Sequence, residues 1–163
     1  MTVQIYQRLD RAGDADVTVT LPFDNRQKCR LHVTLDNGEE AALMLPRGDA
    51  LRHGDRLLCN DNRVVRVQAA KEQVSTARSI DLYQLARACY HLGNRHVSLQ
   101  ICGCWLRYQQ DPVLDRMLEG LGLQIRHELA AFEPETGAYH HANREEQQAV
   151  VSSLFERRLS HGS

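Results

Sequence analysis

The sequence predicts an α+β chain in three parts: a small all-β domain over residues 1–72, a ferredoxin-like βαββαβ domain over 73–142, and a C-terminal helix and tail over 143–163. Three observations predict this. The first half alternates apolar and polar residues between turn residues and carries no long helical period. The second half sets two helical periods among alternating runs in the order β-α-β-β-α-β. The last twenty-one residues return to a helical period behind a capping signal.

The first domain reads as short strands. Val17-Thr18-Val19-Thr20 alternates, and so does Leu31-His32-Val33-Thr34-Leu35. Asp36-Asn37-Gly38 supplies turn residues, and Glu39 to Leu45 returns as the second strand of a hairpin. Pro46-Arg47-Gly48 and His53-Gly54-Asp55 are further turns. Leu57-Leu58-Cys59 and Val64-Val65-Arg66-Val67 flank Asn60-Asp61-Asn62 as another hairpin. The expected packing is two sheets, with His32 a strand histidine and His53 a turn histidine.

Lys71 to Arg78 is short and polar, and the domain boundary is placed there, with an extended segment near Gln73 to Thr76. Leu82, Leu85, Ala86, Cys89 and Leu92 share one helical face. The helix is expected from about Ser79, as N-cap, to Leu92, with Gly93 at the C′ position. From Val97 to Ile101 the period is two, and a further strand lies near 104–109. Asp111 is a good N-cap with Pro112 at the first helical position. Leu114, Met117, Leu118 and Leu121 then recur helically, and Gly122 ends the helix. Leu123, Ile125, His127 and Leu129 alternate as a last strand. Asn143 with Glu146 resembles a capping box, and Val150, Val151, Leu154 and Phe155 predict a final helix to about Leu159.

Composition excludes several functions. Net charge is −1, from 20 basic and 21 acidic residues, which leaves no electrostatic footprint for nucleic acid or an anionic membrane. Trp105 and Tyr108 fall on opposite strand faces and form no stacking platform for bases. No run approaches the roughly 20 apolar residues of a membrane span. Met1-Thr2-Val3-Gln4 opens no signal region, so a cytoplasmic protein is expected. Most of the five cysteines are expected to be free, buried thiols. There is no Gly-rich phosphate loop, nucleophile elbow or recognisable carboxylate pair, so no enzyme is predicted.

Chemistry centres on Leu92-Gly93-Asn94-Arg95-His96-Val97. His96 sits where a helix gives way to a strand, and a neutral imidazole held by two rigid elements can ligate a metal. On spacing alone the preferred reading is a junction histidine bonded to a nearby carbonyl. His91 suits the helix C-terminus, and His127 reads as structural. Cys102-Gly103-Cys104 spans a tight hairpin and offers two thiols to a soft metal. The plainer expectation is two free cysteines, one packing inward on each strand.

Gly93-Asn94-Arg95-His96, Asp111-Pro112-Val113-Leu114, Met117-Leu118-Glu119-Gly120-Leu121-Gly122 and Phe132-Glu133-Pro134-Glu135-Thr136-Gly137-Ala138-Tyr139 together resemble the UreE family of urease accessory nickel metallochaperones. The resemblance implies a homodimer in which His96 of both protomers shares one Ni²⁺, with Zn²⁺ or Cu²⁺ possible in vitro. It makes His140, His141 and His161 candidates for completing the metal's shell. It implies a urease accessory GTPase and the apo-urease complex as partners. Leu45 to Asp55 resembles the family's first domain, which is similar to a peptide-binding module of co-chaperones. Two departures stand out. The histidine-rich tail of many relatives is missing, and Gln110-Asp111-Pro112-Val113 carries no histidine where relatives often do. The rival readings are a non-catalytic adaptor in urease assembly and a zinc- or copper-binding regulator using Cys102 and Cys104.

Overall fold

The computed structural model describes residues 3–10 and 13–136. The helix predicted after Asn143, and His140, His141 and His161, lie outside the described residues.

Strands β1 (Val3–Leu9), β2 (Val17–Leu21), β3 (Arg30–Thr34), β4 (Glu40–Met44), β5 (Arg56–Cys59) and β6 (Val64–Ala69) form one six-stranded sheet in the order β2-β6-β5-β1-β4-β3. Both expected hairpins are present, β3 with β4 and β5 with β6. The first turns at Gly38 with φ +88°, a conformation that glycine adopts without a side-chain penalty. The expected pair of packed sheets is replaced by a single curled one. Its edges meet at Asp36, just beyond β3. The Asp36 amide donates to the Thr18 carbonyl of β2 at 2.9 Å, and its carboxylate accepts the Thr20 amide at 3.1 Å and both threonine hydroxyls. One core therefore draws on every strand, with Ile5, Val19, Leu43, Leu57, Val65 and Val67 all buried. The parallel pairs β1–β4 and β2–β6 have no local signature, and β1 was not anticipated.

β7 (Lys71–Arg78) occupies the stretch expected to be a boundary and a short extended segment. Its polarity misleads because Ser75 and Thr76 are buried in the middle of a sheet. Helix α2 (Leu82–Gly93), β8 (Gln100–Cys102), β9 (Trp105–Gln109), α3 (Pro112–Gly120) and β10 (Gln124–Ala131) follow. The sheet order is β10-β7-β9-β8 with every neighbour antiparallel, the ferredoxin-like arrangement. Both helices cover one face. Leu85, Ala88 and Leu92 of α2 and Leu114 and Leu118 of α3 pack on Ala77, Leu106 and Tyr108.

The other face of β7 meets the first half of the chain. Val74 packs with Phe23 of the one-turn helix α1 (Phe23–Arg26) and with Phe132, the two rings edge to face at 5.4 Å. Beside them lies Arg26, 2% exposed. Its guanidinium donates to the carbonyls of Leu21 (3.1 Å), Leu51 (3.0 Å) and Phe132 and to the Glu133 carboxylate. A buried charge is tolerated when it is paired and its donors are used, and Phe132-Glu133 supplies two of these acceptors.

Candidate metal centre

The candidate site lies just beyond the C-terminal end of α2, a helix whose start is set by its N-cap. Asp81, not Ser79, is the N-cap; its carboxylate accepts the Tyr83 amide at 2.8 Å. Ser79 stands two residues earlier, where its hydroxyl accepts the Asp81 amide and donates to Gln84. The helix buries Leu85, Ala88 and Leu92, so the expected face is rotated and Leu82 and Ala86 are exposed.

At the other end Gly93 is still helical, with Asn94 as the cap residue. One further turn follows. The His96 amide donates to the Gly93 carbonyl at 3.0 Å, and the Val97 amide reaches back to the Leu92 carbonyl at 3.2 Å. These are the two bonds of a Schellman motif, and they put His96, rather than Gly93, in the left-handed C′ position, with φ +56°. Val97 packs into the same core as Leu92, the apolar contact that accompanies this motif. A left-handed conformation costs a side-chain-bearing residue about 1–2 kcal/mol. The strand expected from Val97 begins only at Gln100, where pairing with β9 starts.

His96 is exposed, and so is the face of α2 that leads to it: Tyr83 is 70% exposed and Tyr90 66%. Behind His96, the Glu135 amide donates to the Leu99 carbonyl at 2.7 Å, and the Glu133 amide donates to the Gln100 side chain at 3.1 Å. The segment Phe132-Glu133-Pro134-Glu135 thus braces the chain three residues beyond His96 and grips Arg26 with the same stretch.

The remaining described histidines lie elsewhere. His32 is exposed on β3, and His53 sits in a turn where its Nδ1 accepts the Ala69 amide at 3.3 Å. His91 lies near the end of α2, its ring edge to face with Tyr90 at 5.4 Å. His127 bonds through Nε2 to the Asp115 carboxylate at 2.7 Å, and that carboxylate also accepts the Tyr108 hydroxyl at 2.7 Å. Burial pushes the Asp115 carboxyl up. The surrounding groups outweigh burial and hold it below the usual carboxylate range: Tyr108, His127 and the Ser75 hydroxyl, which lies beside the carboxylate without reaching full hydrogen-bond geometry. Burial and the adjacent Asp115 push the Tyr108 phenol up, so it remains a donor. The sequence pattern does not single out Asp115; its place next to Leu114 and three residues before Leu118 puts it beside the buried helical face.

Cys102 and Cys104 are both exposed, which corrects the expectation of thiols packed inward. Cys102 ends an edge strand and Cys104 lies in the turn itself, so neither meets a facing layer. Among the described residues no group of three or more His, Cys, Asp or Glu side chains is placed to hold a metal ion. His96 therefore belongs to no such group within the described part of its own chain. No helix among the described residues is long and apolar enough to cross a membrane.

Comparison with known proteins agrees along the chain. The pattern of the UreE urease accessory protein N-terminal domain matches residues 5–70, and that of its C-terminal domain matches residues 72–161. The chain is 58% identical over 133 residues to urease accessory protein UreE of Alkalilimnicola ehrlichii, covering 82% of each chain. It is 52% identical over 137 residues to that of Shewanella halifaxensis, covering 84% of this chain and 80% of the relative. It is 55% identical over 141 residues to that of Pseudomonas putida, covering 86% and 88%. With both domain patterns matched in order and the helix end around His96 built as described, the chain belongs to the UreE family of urease accessory proteins, which serve urease maturation as nickel metallochaperones and not as enzymes.

Proposed function

We propose that this protein carries Ni²⁺ to apo-urease in the cytoplasm by sharing the ion between His96 of two protomers. The observation that carries the reading is the presentation of His96: exposed, held at a rigid helix end in a conformation that costs free energy, and part of no group of three or more ligating side chains among the described residues. A site with one imidazole per chain becomes a two-imidazole site on a two-fold axis. The exposed face of α2 supports such a dimer, because Tyr83 and Tyr90 give it apolar surface that continues to the His96 turn.

Two imidazoles leave coordination positions open on nickel, which suits an ion that must later leave. Tail histidines can fill them. Glu135 is tied to Leu99, and the five residues from Glu135 to His140 span at most roughly 17 Å when extended. His140 and His141 are thus within tether range of His96; His161 has a longer tether. Release follows when the acceptor's ligands replace the imidazoles one at a time. The proposed recipients are the urease accessory GTPase and the apo-urease complex on which it acts.

A calorimetric Ni²⁺ titration of the full chain, beside His96→Ala, with mass measured by light scattering, tests this. The expected result is one tight site per dimer that disappears in the variant while the dimer persists. A tight site unchanged in His96→Ala would remove His96 from the centre of the reading.

A further inference from the structure

We infer that Cys102 and Cys104 form a separate dithiolate site for a soft two-coordinate cation, Cu(I), at the tip of the β8–β9 hairpin. Cys102 is the ladder partner of Trp105, so Gly103-Cys104 is a two-residue turn, and Gly103 takes φ +45° at its first position. That is the glycine-first form favoured in tight hairpins. The turn is anchored as well as tight, since the Ser79 amide donates to the Cys104 carbonyl at 3.3 Å. Two exposed thiols are thereby held one residue apart on a paired scaffold instead of a loose loop.

The donor set selects the ion. Among the described residues no third His, Cys, Asp or Glu joins the two sulfurs. Thiolates suit both zinc and Cu(I), but zinc favours four ligands in tetrahedral sites and nickel takes four to six, whereas Cu(I) is satisfied by two sulfurs. The thiolate is the ligand, and Cys59 and Cys89 are less suited. Burial pushes the Cys59 thiol up to about 11 and also raises Cys89. The hairpin tip lies at the N-terminal end of α2 and His96 beyond its C-terminal end. Twelve helical residues separate them by roughly 18 Å. The two sites are independent, one soft and one borderline, and the Cys site does not rest on the nickel reading.

The test is anaerobic titration of the fully reduced full-length protein with Cu(I) against the chromogenic chelator bicinchoninate. It compares the wild type with C102S/C104S and with C29S/C89S, with thermal unfolding as the control for folding. The wild type and C29S/C89S are expected to take one Cu(I) per chain from the chelator, and C102S/C104S to lose that ion while unfolding at the same temperature. Copper X-ray absorption should show two sulfur neighbours. Retention of the ion by folded C102S/C104S overturns the assignment. One ion per two chains with four sulfur neighbours overturns the two-coordinate site.

Discussion

The Val97 amide donates to the Leu92 carbonyl at 3.2 Å, and this bond across one turn holds His96, the residue before Val97, in the left-handed region. The imidazole projects from a helix end locked by core packing of Leu92 and Val97. Glycine would relieve the cost of that conformation and alanine would not. His96→Gly should therefore unfold later than His96→Ala, by about 1 kcal/mol or roughly 2–4 °C in Tm. Both should lose the proposed nickel site equally. Differential scanning calorimetry of the pair separates the backbone effect from the metal effect.

Tyr90 on the exposed face of α2 is the strongest probe of the proposed dimer. Tyr90→Glu would bury a carboxylate in an apolar interface, and a cost of 2 kcal/mol raises a dissociation constant about 30-fold. Analytical ultracentrifugation should show monomers at concentrations where the wild type is dimeric. Nickel should weaken in parallel although His96 is intact. A Tyr90→Glu protein that stays dimeric would place the interface elsewhere.

Arg26 joins the two halves of the chain through Leu21, Leu51, Phe132 and Glu133. Arg26→Met keeps much of the side-chain volume but strands three carbonyls and a half-buried carboxylate. Loss of one partner from a buried ionic cluster costs about 3–5 kcal/mol. Urea unfolding followed by Trp105 fluorescence for the second half and by far-ultraviolet dichroism for the whole should report this loss. The two probes should diverge more in the variant than in the wild type.

Asp115 makes the stability of the second half depend on acid. Its carboxyl is held below the usual range in the folded protein. Its contribution is therefore complete above the unfolded value near 3.9 and is lost as pH falls through the lower folded value. Asp115→Asn, which changes an acceptor of Tyr108 and His127, should cost about 1–3 kcal/mol at pH 7. The gap to the wild type should narrow below about pH 4. Thermal unfolding from pH 7 to pH 3 reads both the size and the sign.

Much of this was legible locally. Asp111 and Pro112 mark the start of α3 because the cap and the restricted φ act within one turn, and the Asp111 carboxylate does accept the Val113 and Leu114 amides. Asp36-Asn37-Gly38 marks a hairpin for the same kind of reason, and Gly122 closes α3 with φ +90°. The β-α-β-β-α-β order could be read from the change of period along the chain. His96 was reachable from its motif and its place between two periods.

What local pattern does not contain is which distant groups meet. Parallel pairing of β1 with β4 and of β2 with β6, the curl that brings Asp36 onto Thr18 and Thr20, and the burial of Arg26 against Glu133 depend on contacts far apart in sequence. Polar β7 reads as a linker until a sheet and the first half of the chain enclose it. The sequence by itself determined where α3 begins and ends and where the two hairpins of the first half turn, because caps, turns and periodicity act over a few residues. Only the tertiary structure decided that His96 takes the left-handed turn position, since that requires Val97 and Leu92 to be drawn into one core, and that both hairpin thiols remain outside every core.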